Sequence, residues 1–161
     1  MANKTKQYWL FKSEPDVYSI DDLAADKVTY WEGVRNYQAR NLLRDTIKKG
    51  DLVFFYHSNS SPPGIAGIAE IDRNGYPDHT AFDPDAKYFD DKSKKKEPTW
   101  YMVDIRYVAK LPREVSLTEL KETKGLEEMM VTRRGARLSI QPVTENEWEI
   151  VLSLAGVKGP R

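Results

Sequence analysis

Cysteine is absent from the 161 residues of this chain, and histidine is nearly so. Without cysteine there can be no disulfide, no thiolate zinc site, no iron–sulfur cluster and no cysteine nucleophile. The absence is also typical of a reducing compartment. His57 and His79 alone are a poor basis for a zinc site unless carboxylates complete it. We therefore predict no metal and no cofactor.

Long apolar runs and catalytic signatures are missing as well. No run approaches the roughly 18 residues that a membrane span needs, and the first eleven residues lack the apolar core of a signal peptide. We expect a cytoplasmic protein, nuclear in a eukaryote, with no membrane partner. Dinucleotide, P-loop, zincin and serine-hydrolase motifs are also missing. The sequence thus predicts no catalytic residues and a protein that is not an enzyme.

The net charge is zero, from 25 basic and 25 acidic residues. A general binder of polyanions is usually basic overall, so any contact with nucleic acid must come from a local patch or a specific pocket. The charge is uneven along the chain. Basic groups occur between Arg35 and Lys49, between Lys92 and Lys96, and between Arg133 and Arg137, and an acid-rich stretch runs from Glu70 to Asp91.

The pattern of apolar and turn residues predicts strands mixed with short helices in one domain, residues 1–161, with a core at about 8–156. Capping boxes, in which Ser or Thr precedes an acidic residue by three positions, mark three helix starts. Because strands and helices do not alternate regularly, the order favours a mostly antiparallel, barrel-like α+β domain. Strands are predicted at 8–12, 28–31, 52–57, 65–71, 100–111 and 137–143, and helices from Ser19, Asn36, Ser116 and Thr144.

The segment from Trp31 to Arg40 joins a predicted strand to a predicted helix. A helix N-terminus offers free N–H donors and the positive end of a dipole. An aromatic ring there can stack on a planar ligand, and Asn36 can both donate to and accept from a base edge. On these residues alone, a structural interpretation is favoured: Trp31 in the core, Asn36 as a helix cap and the arginines in solvent.

Four ordered blocks together resemble the EVE domain family: YWLFKSEP at 8–15, WEGVRNYQARN at 31–41, GDLVFFYHS at 50–58 and RLSIQPV at 137–143. The resemblance implies a PUA-like fold, a mixed and mostly antiparallel β pseudo-barrel surrounded by short helices. It also implies kinship with YTH and SRA-type readers. The expected function is then a non-catalytic module that reads a modified nucleobase in DNA or RNA.

The resemblance also implies which residues form the base pocket. Trp31 is expected to supply an aromatic wall and Asn36 the main contact to the base edge, while arginines contact phosphate. The implied pocket residues are Lys12, Ser13, Trp31, Arg35, Asn36, Tyr56, His57, Ser58, Leu138, Ser139 and Gln141, and the candidates for phosphate contact are Arg35, Arg40 and Arg44.

Three other functions stay open at this point. A free-nucleoside or small-molecule binder fits the neutral charge. A base-processing hydrolase would need His57 or a carboxylate as its catalytic group. A protein-interaction module would use a helical stripe of Arg40, Arg44 and Lys48. No heptad pattern is present, so we expect a monomer.

Overall fold

The structure is a computed structural model that describes residues 6–135 and 137–157, and a six-stranded sheet dominates this part of the chain. Four short α-helices surround the sheet, and a π-turn at Leu42–Thr46 and 3-10 turns at His79–Phe82 and Met130–Thr132 link the elements. The strands are β1 Tyr8–Ser13, β2 Val28–Tyr30, β3 Leu52–His57, β4 Gly64–Pro77, β5 Tyr101–Ser116 and β6 Ile140–Val143. The helices are α1 Ile20–Asp26, α2 Tyr37–Asn41, α3 Leu117–Glu122 and α4 Glu145–Leu154.

The strands lie in the order β2-β5-β4-β3-β1-β6. β1 and β3 are parallel, and the other neighbouring pairs are antiparallel. This arrangement confirms the predicted α+β class with a mostly antiparallel sheet. None of the helices in the described residues has the length and apolar character needed to cross a bilayer.

Side-chain alternation along β3 divides the buried residues into two clusters. Phe54 and Tyr56 belong to a first cluster, which includes Trp148 of α4. Val53 and Phe55 belong to a second cluster, which also contains Phe11 of β1. Successive residues of a strand point to opposite faces. The alternation therefore decides which strand residues can reach a site on either side of the sheet.

Side-chain caps fix the helix starts that the sequence predicts. Ser19 and Thr144 form reciprocal capping boxes at α1 and α4. At α3, Ser116 caps the backbone N–H of Glu119, but the Glu119 carboxylate accepts two hydrogen bonds from Arg113, at 2.7 and 2.8 Å. The predicted capping box is thus only half formed, because a guanidinium takes the carboxylate.

The predicted helix from Asn36 is shorter than its apolar spacing suggests. α2 ends at Asn41, and the chain continues as a π-turn in which the Ile47 N–H donates to the Leu42 carbonyl at 2.9 Å. Ile47 is already extended, so Lys48 lies beyond the helix. The helical stripe of Arg40, Arg44 and Lys48 therefore does not form.

β4 and β5 are both longer than the sequence predicts, and their pairing is interrupted by register shifts. Gly67 lies at one of these shifts. A Cβ on Gly67 would meet the Ile20 side chain at 2.4 Å, so α1 packs directly on the backbone of β4 there. The last strand, β6, begins at Ile140 rather than at Arg137.

Candidate functional site

A cavity of about 730 Å³ opens beside the ends of β1 and β3, on the face of the sheet that carries the second cluster. Its size is that of ordinary small-molecule pockets. A second cavity of about 460 Å³ lies at the other end of β1. The larger cavity is lined by Lys12, Ser13, Glu14, Val17, Tyr18, Thr29, Tyr30, Trp31, Glu32, Gly33, Val34, Arg35, Ser58, Lys87, Tyr88, Arg137 and Ser139.

Trp31 forms a fixed aromatic wall of this cavity. Its ring packs against Phe11 at 5.4 Å between centroids and against Phe55, edge-on, at 5.7 Å. Its backbone N–H donates to the Val103 carbonyl at 2.8 Å. Because the ring is held by the core and is only partly buried, it offers a preorganised surface for stacking.

Tyr88 contributes a second aromatic ring, and two residues of the Trp31 segment hold it. Arg35 donates two hydrogen bonds to the Tyr88 carbonyl, from Nε at 3.2 Å and from Nη2 at 2.5 Å. Its guanidinium also lies 5.9 Å from the centre of the Tyr88 ring. Gly33, with a φ of +81°, leaves room for that ring, since a Cβ there would meet its atoms at 2.6 Å. The wall is thus built on the Trp31 segment.

Asp78 binds both Gly33 and Arg35, the two residues that hold the Tyr88 ring. This fully buried carboxylate accepts hydrogen bonds from the Gly33 N–H at 2.9 Å, from Arg35 Nη1 at 3.0 Å and from the backbone and hydroxyl of Thr80. Burial alone would raise the pKa of Asp78, but hydrogen bonds from Thr80, Gly33 and Arg35 outweigh it and keep this pKa below its ordinary value. The buried charge is therefore satisfied rather than orphaned.

Ser13 connects two other residues of the cavity lining, Tyr18 and Ser58, by hydrogen bonds. Its hydroxyl donates to the Tyr18 carbonyl at 2.6 Å, and its own carbonyl accepts from the Ser58 N–H at 2.9 Å. The Tyr18 hydroxyl donates to Asp26 at 2.7 Å. Burial, followed by that hydrogen bond, raises the pKa of Tyr18, so Tyr18 presents a neutral ring.

The lining is cationic although the whole chain is neutral. Among the lining residues that the structure describes, four carry a positive charge and two carry a carboxylate. Burial lowers the pKa of Lys12. Burial and then the charge of Asp78 raise the pKa of Glu32, against smaller opposing effects of His79 and Arg35. The cations are Lys12, Arg35, Lys87 and Arg137, and the carboxylates are Glu14 and Glu32.

The structure brings together part of the predicted pocket. Lys12, Ser13, Trp31, Arg35, Ser58 and Ser139 lie in the lining, whereas Asn36, Tyr56, His57, Leu138 and Gln141 lie outside it.

Asn36 and His57 instead bind backbone groups at helix starts. The side chain of Asn36 accepts from the Ala39 N–H at 2.9 Å, as a cap of α2. His57 Nε2 accepts from the Ile20 N–H at 3.1 Å, so the lone pair that a catalytic base would use is occupied.

Tyr56, Gln141 and Leu138 contact other groups. Tyr56 belongs to the first cluster, on the other face, and burial raises its pKa to about 12. Gln141 is buried and donates from Nε2 to the Leu138 carbonyl at 2.9 Å. Leu138 packs against the second cluster.

The arginines proposed for phosphate contact are largely engaged in other bonds. Arg35 is bound to Tyr88 and Asp78 as described above. Arg40 donates from Nη1 to the Thr99 carbonyl at 2.6 Å, and Arg44 pairs with Asp45 at 2.8 Å on the surface. Neither Arg40 nor Arg44 lines the cavity.

Several lining residues were not anticipated from the sequence. Tyr30 directly precedes Trp31, and an aromatic pair at the end of a predicted strand is a usable signal. Tyr88 lies in the mostly polar segment 83–98. Its ring is unusual in that segment, but no local sequence pattern connects it to Trp31. The unanticipated lining residues are Glu14, Val17, Tyr18, Thr29, Tyr30, Glu32, Gly33, Val34, Lys87, Tyr88 and Arg137.

Comparison with known proteins shows the same fold over nearly the whole chain. The EVE domain matches residues 7–154. Human thymocyte nuclear protein 1 is 45% identical over 165 residues, covering 91% of this chain and 73% of the human protein. A crystal structure of a Pseudomonas putida protein has a TM-score of 0.89 and 48% identity, covering 92% of this chain and 99% of that one. Human THYN1 protein in complex with 5-methylcytosine-containing DNA has a TM-score of 0.88 and 44% identity, covering 96% of this chain and 100% of that one.

Proposed function

We propose that this chain, which belongs to the EVE domain family, is a non-catalytic module that binds a modified base of nucleic acid in the cavity beside Trp31. One observation carries the proposal: a core-anchored tryptophan and a second, locked aromatic ring line a base-sized cavity with cations at its mouth. The human relative bound to 5-methylcytosine-containing DNA supports the choice of ligand.

The energetics favour a base that has left its stack. Extruding a base from a duplex costs a few kcal/mol, and stacking on an aromatic side chain returns roughly 1–3 kcal/mol. A methyl group whose surface is buried adds about 0.8 kcal/mol, or about fourfold in affinity. Selection of a methylated base over its plain form is therefore modest unless the cavity also penalises the plain base.

The mouth of the cavity offers a different set of phosphate contacts from the predicted one. Lys87 and Arg137 are exposed residues of the lining. Arg35, by contrast, is committed to Tyr88 and Asp78. We assign the phosphate contacts next to the base to Lys87 and Arg137, and a structural role to Arg35.

The first test is binding to matched oligonucleotides that carry either 5-methylcytosine or cytosine at one position. The native protein should prefer the methylated one. Trp31→Leu keeps apolar packing against Phe11 and Phe55 but removes the stacking surface. We expect this variant to lose about 1–3 kcal/mol of affinity together with the preference.

Val28→Ala is the control, because Val28 lies in β2 close to Trp31 in the sequence, is 40% exposed and lies outside the lining. It should retain both affinity and preference. Equal binding of the two oligonucleotides by the native protein would reject 5-methylcytosine as the ligand. A series of other modified bases in DNA and RNA then asks whether the cavity reads any modification at all.

The two alternative functions, a free-nucleoside binder and a base-processing hydrolase, predict different outcomes in the same assay. A free-nucleoside binder would bind the nucleoside as tightly as the oligonucleotide. A hydrolase would release base or cleave the strand. We propose a cytoplasmic location, or a nuclear one in a eukaryote; the name of the human relative, thymocyte nuclear protein 1, supports the nuclear part.

A further inference from the structure

Four lysines lie in a short turn that comes after Tyr88, the second aromatic residue of the cavity, in the sequence. All four are exposed, and none forms an ion pair with a carboxylate of residues 6–135 or 137–157. We call residues 90–97 the lysine turn; its lysines are Lys92, Lys94, Lys95 and Lys96.

Hydrogen bonds at both ends hold this turn in place. Asp90 accepts from the indole Nε1 of Trp100 at 2.6 Å and from the Lys92 N–H at 3.0 Å. The Ser93 hydroxyl accepts from the Thr99 N–H at 3.3 Å, and the Thr99 carbonyl accepts from Arg40 at 2.6 Å. The lysines therefore project from an anchored segment, so little chain entropy is lost when they bind.

The turn is also close to the proposed base site. Lys92 is four residues from Tyr88, and a chain spans at most about 3.5 Å per residue, so its Cα lies within about 14 Å of that of Tyr88. Duplex DNA carries a phosphate charge about every 1.7 Å along its axis. Lys92 is thus within reach of phosphates a few nucleotides from a base in the cavity.

The lysine turn also contains three carboxylates, Asp90, Asp91 and Glu97, so its own net charge is +1. None of these carboxylates forms an ion pair with a lysine of residues 6–135 or 137–157, so the four ammonium groups stay available. Lys87 adds a positive charge at the mouth, where its Nζ lies 5.3 Å from the centre of the Tyr88 ring. Positive groups thus lie both at the mouth of the cavity and on the turn, with Asp90 and Asp91 between them in the sequence.

We propose that the lysine turn is a second contact surface, which binds the sugar–phosphate backbone flanking the base held in the cavity. This inference rests on the proposed function and extends it from one nucleotide to a longer footprint. It accounts for how a chain of zero net charge can hold a polyanion: four exposed lysines that form no ion pair within the described residues are gathered on one anchored turn, beyond Lys87 and Arg137 at the mouth.

The test compares two quadruple lysine-to-glutamine variants that change the net charge equally. One replaces the four lysines of the turn. The control replaces four exposed lysines elsewhere: Lys6 and Lys49, which precede β1 and β3, and Lys121 and Lys124, in and after α3. Affinity for a duplex with a central 5-methylcytosine is measured from 50 to 200 mM salt. Replacing the turn should make the slope of log K against log salt shallower by about 2 to 4, and the control should not change it.

A second test uses an oligonucleotide whose phosphates a few nucleotides from the modified base are replaced by uncharged methylphosphonate linkages, while the phosphates next to the base stay charged for Lys87 and Arg137. The native protein should bind it as weakly as the turn variant binds the ordinary duplex, and the turn variant should lose nothing further. An unchanged slope in the turn variant, or equal losses in both quadruple variants, would overturn the inference. Either result would leave the preference for the modified base intact, whereas failure of the proposed function would remove that preference in the native protein.

Discussion

Gly33 connects two parts of the site at the scale of a single residue. It combines a φ of +81° with contact to the Tyr88 ring, so Gly33→Ala adds backbone strain and pushes the wall outward. We expect a loss of about 1–3 kcal/mol in stability from the strain, together with weaker binding of the methylated oligonucleotide. Thermal unfolding and titration of the same samples measure the two effects.

Gly50→Ala is the control for that prediction. Gly50 has a φ of +96°, and a Cβ there would meet nothing within 4 Å. It should therefore lose stability by a comparable amount and keep its affinity. If both variants bind equally well, Tyr88 does not form a functional wall.

Asn36 illustrates how a residue that suits a base edge can serve the backbone instead. Its side chain caps α2 and is exposed, outside the cavity lining. We expect Asn36→Ala to lower the free energy of unfolding by about 0.5–2 kcal/mol while leaving base preference unchanged. Asn36→Asp, which keeps a capping oxygen, should restore stability in a denaturant titration. Loss of base preference in both variants would show that Asn36 contacts the base.

Glu32 is the residue we expect to distinguish base edges. The lining hydroxyls can donate or accept, but an ionised carboxylate only accepts. A carboxylate pairs with the exocyclic amine of cytosine and repels the carbonyl that replaces it in thymine, which carries the same 5-methyl group. Single-stranded oligonucleotides with 5-methylcytosine or thymine at the same position therefore provide a matched pair, because no base pair is broken in either.

Glu32→Gln should reduce the preference for 5-methylcytosine over thymine by about 1–3 kcal/mol, because its amide can also donate to a carbonyl. Glu14→Gln removes the other lining carboxylate, which accepts from Asn59 at 3.0 Å. It serves as the control for lost negative charge and should keep the preference. An unchanged preference in Glu32→Gln would show that another group reads the edge.

At the scale of elements, β3 and α1 are joined through His57. Its Nε2 accepts from the first N–H of α1, and burial lowers its pKa in spite of the nearby charge of Glu114. The unfolded chain has a histidine pKa of about 6.5. Between the lower folded pKa and 6.5 the unfolded state therefore binds more protons, so stability falls as the pH drops below about 6.5.

Urea unfolding between pH 8 and pH 5.5 measures this dependence. His57→Gln keeps an acceptor for the Ile20 N–H but does not titrate, so its stability should vary less across that range. A native dependence that survives in His57→Gln would assign it to other groups.

Sequence patterns predict the elements of this fold better than they predict the site. Capping residues such as Ser19 and Thr144 act locally, so their helices begin where the pattern indicates. Tyr56 lies outside the lining because three successive residues at a strand end cannot all face one cavity. Tyr88 was missed because its contact with Gly33 joins positions 55 residues apart, and no local period encodes such a contact.

At the scale of the whole molecule, we assign base reading and most of the phosphate binding to different residues. Trp31 and Tyr88 line the cavity together with the half-buried cations Lys12 and Arg35, whereas the exposed Lys87, Arg137 and the lysine turn are the residues we assign to phosphate. Because the net charge is zero, we expect long-range attraction to a polyanion to be weak and contacts of these exposed cations to supply the electrostatic part of binding.

This separation predicts how salt acts on affinity and on selectivity. Raising salt from 50 to 200 mM should weaken binding of both methylated and plain oligonucleotides by a common factor, because the same phosphates release the same counterions. The ratio of the two dissociation constants should stay constant, since stacking and methyl burial involve no counterion. Fluorescence anisotropy on the two oligonucleotides at each salt concentration measures both quantities. A ratio that shrinks as salt rises would mean that the cations at the mouth take part in reading the base, which would contradict our assignment of the two functions to different residues.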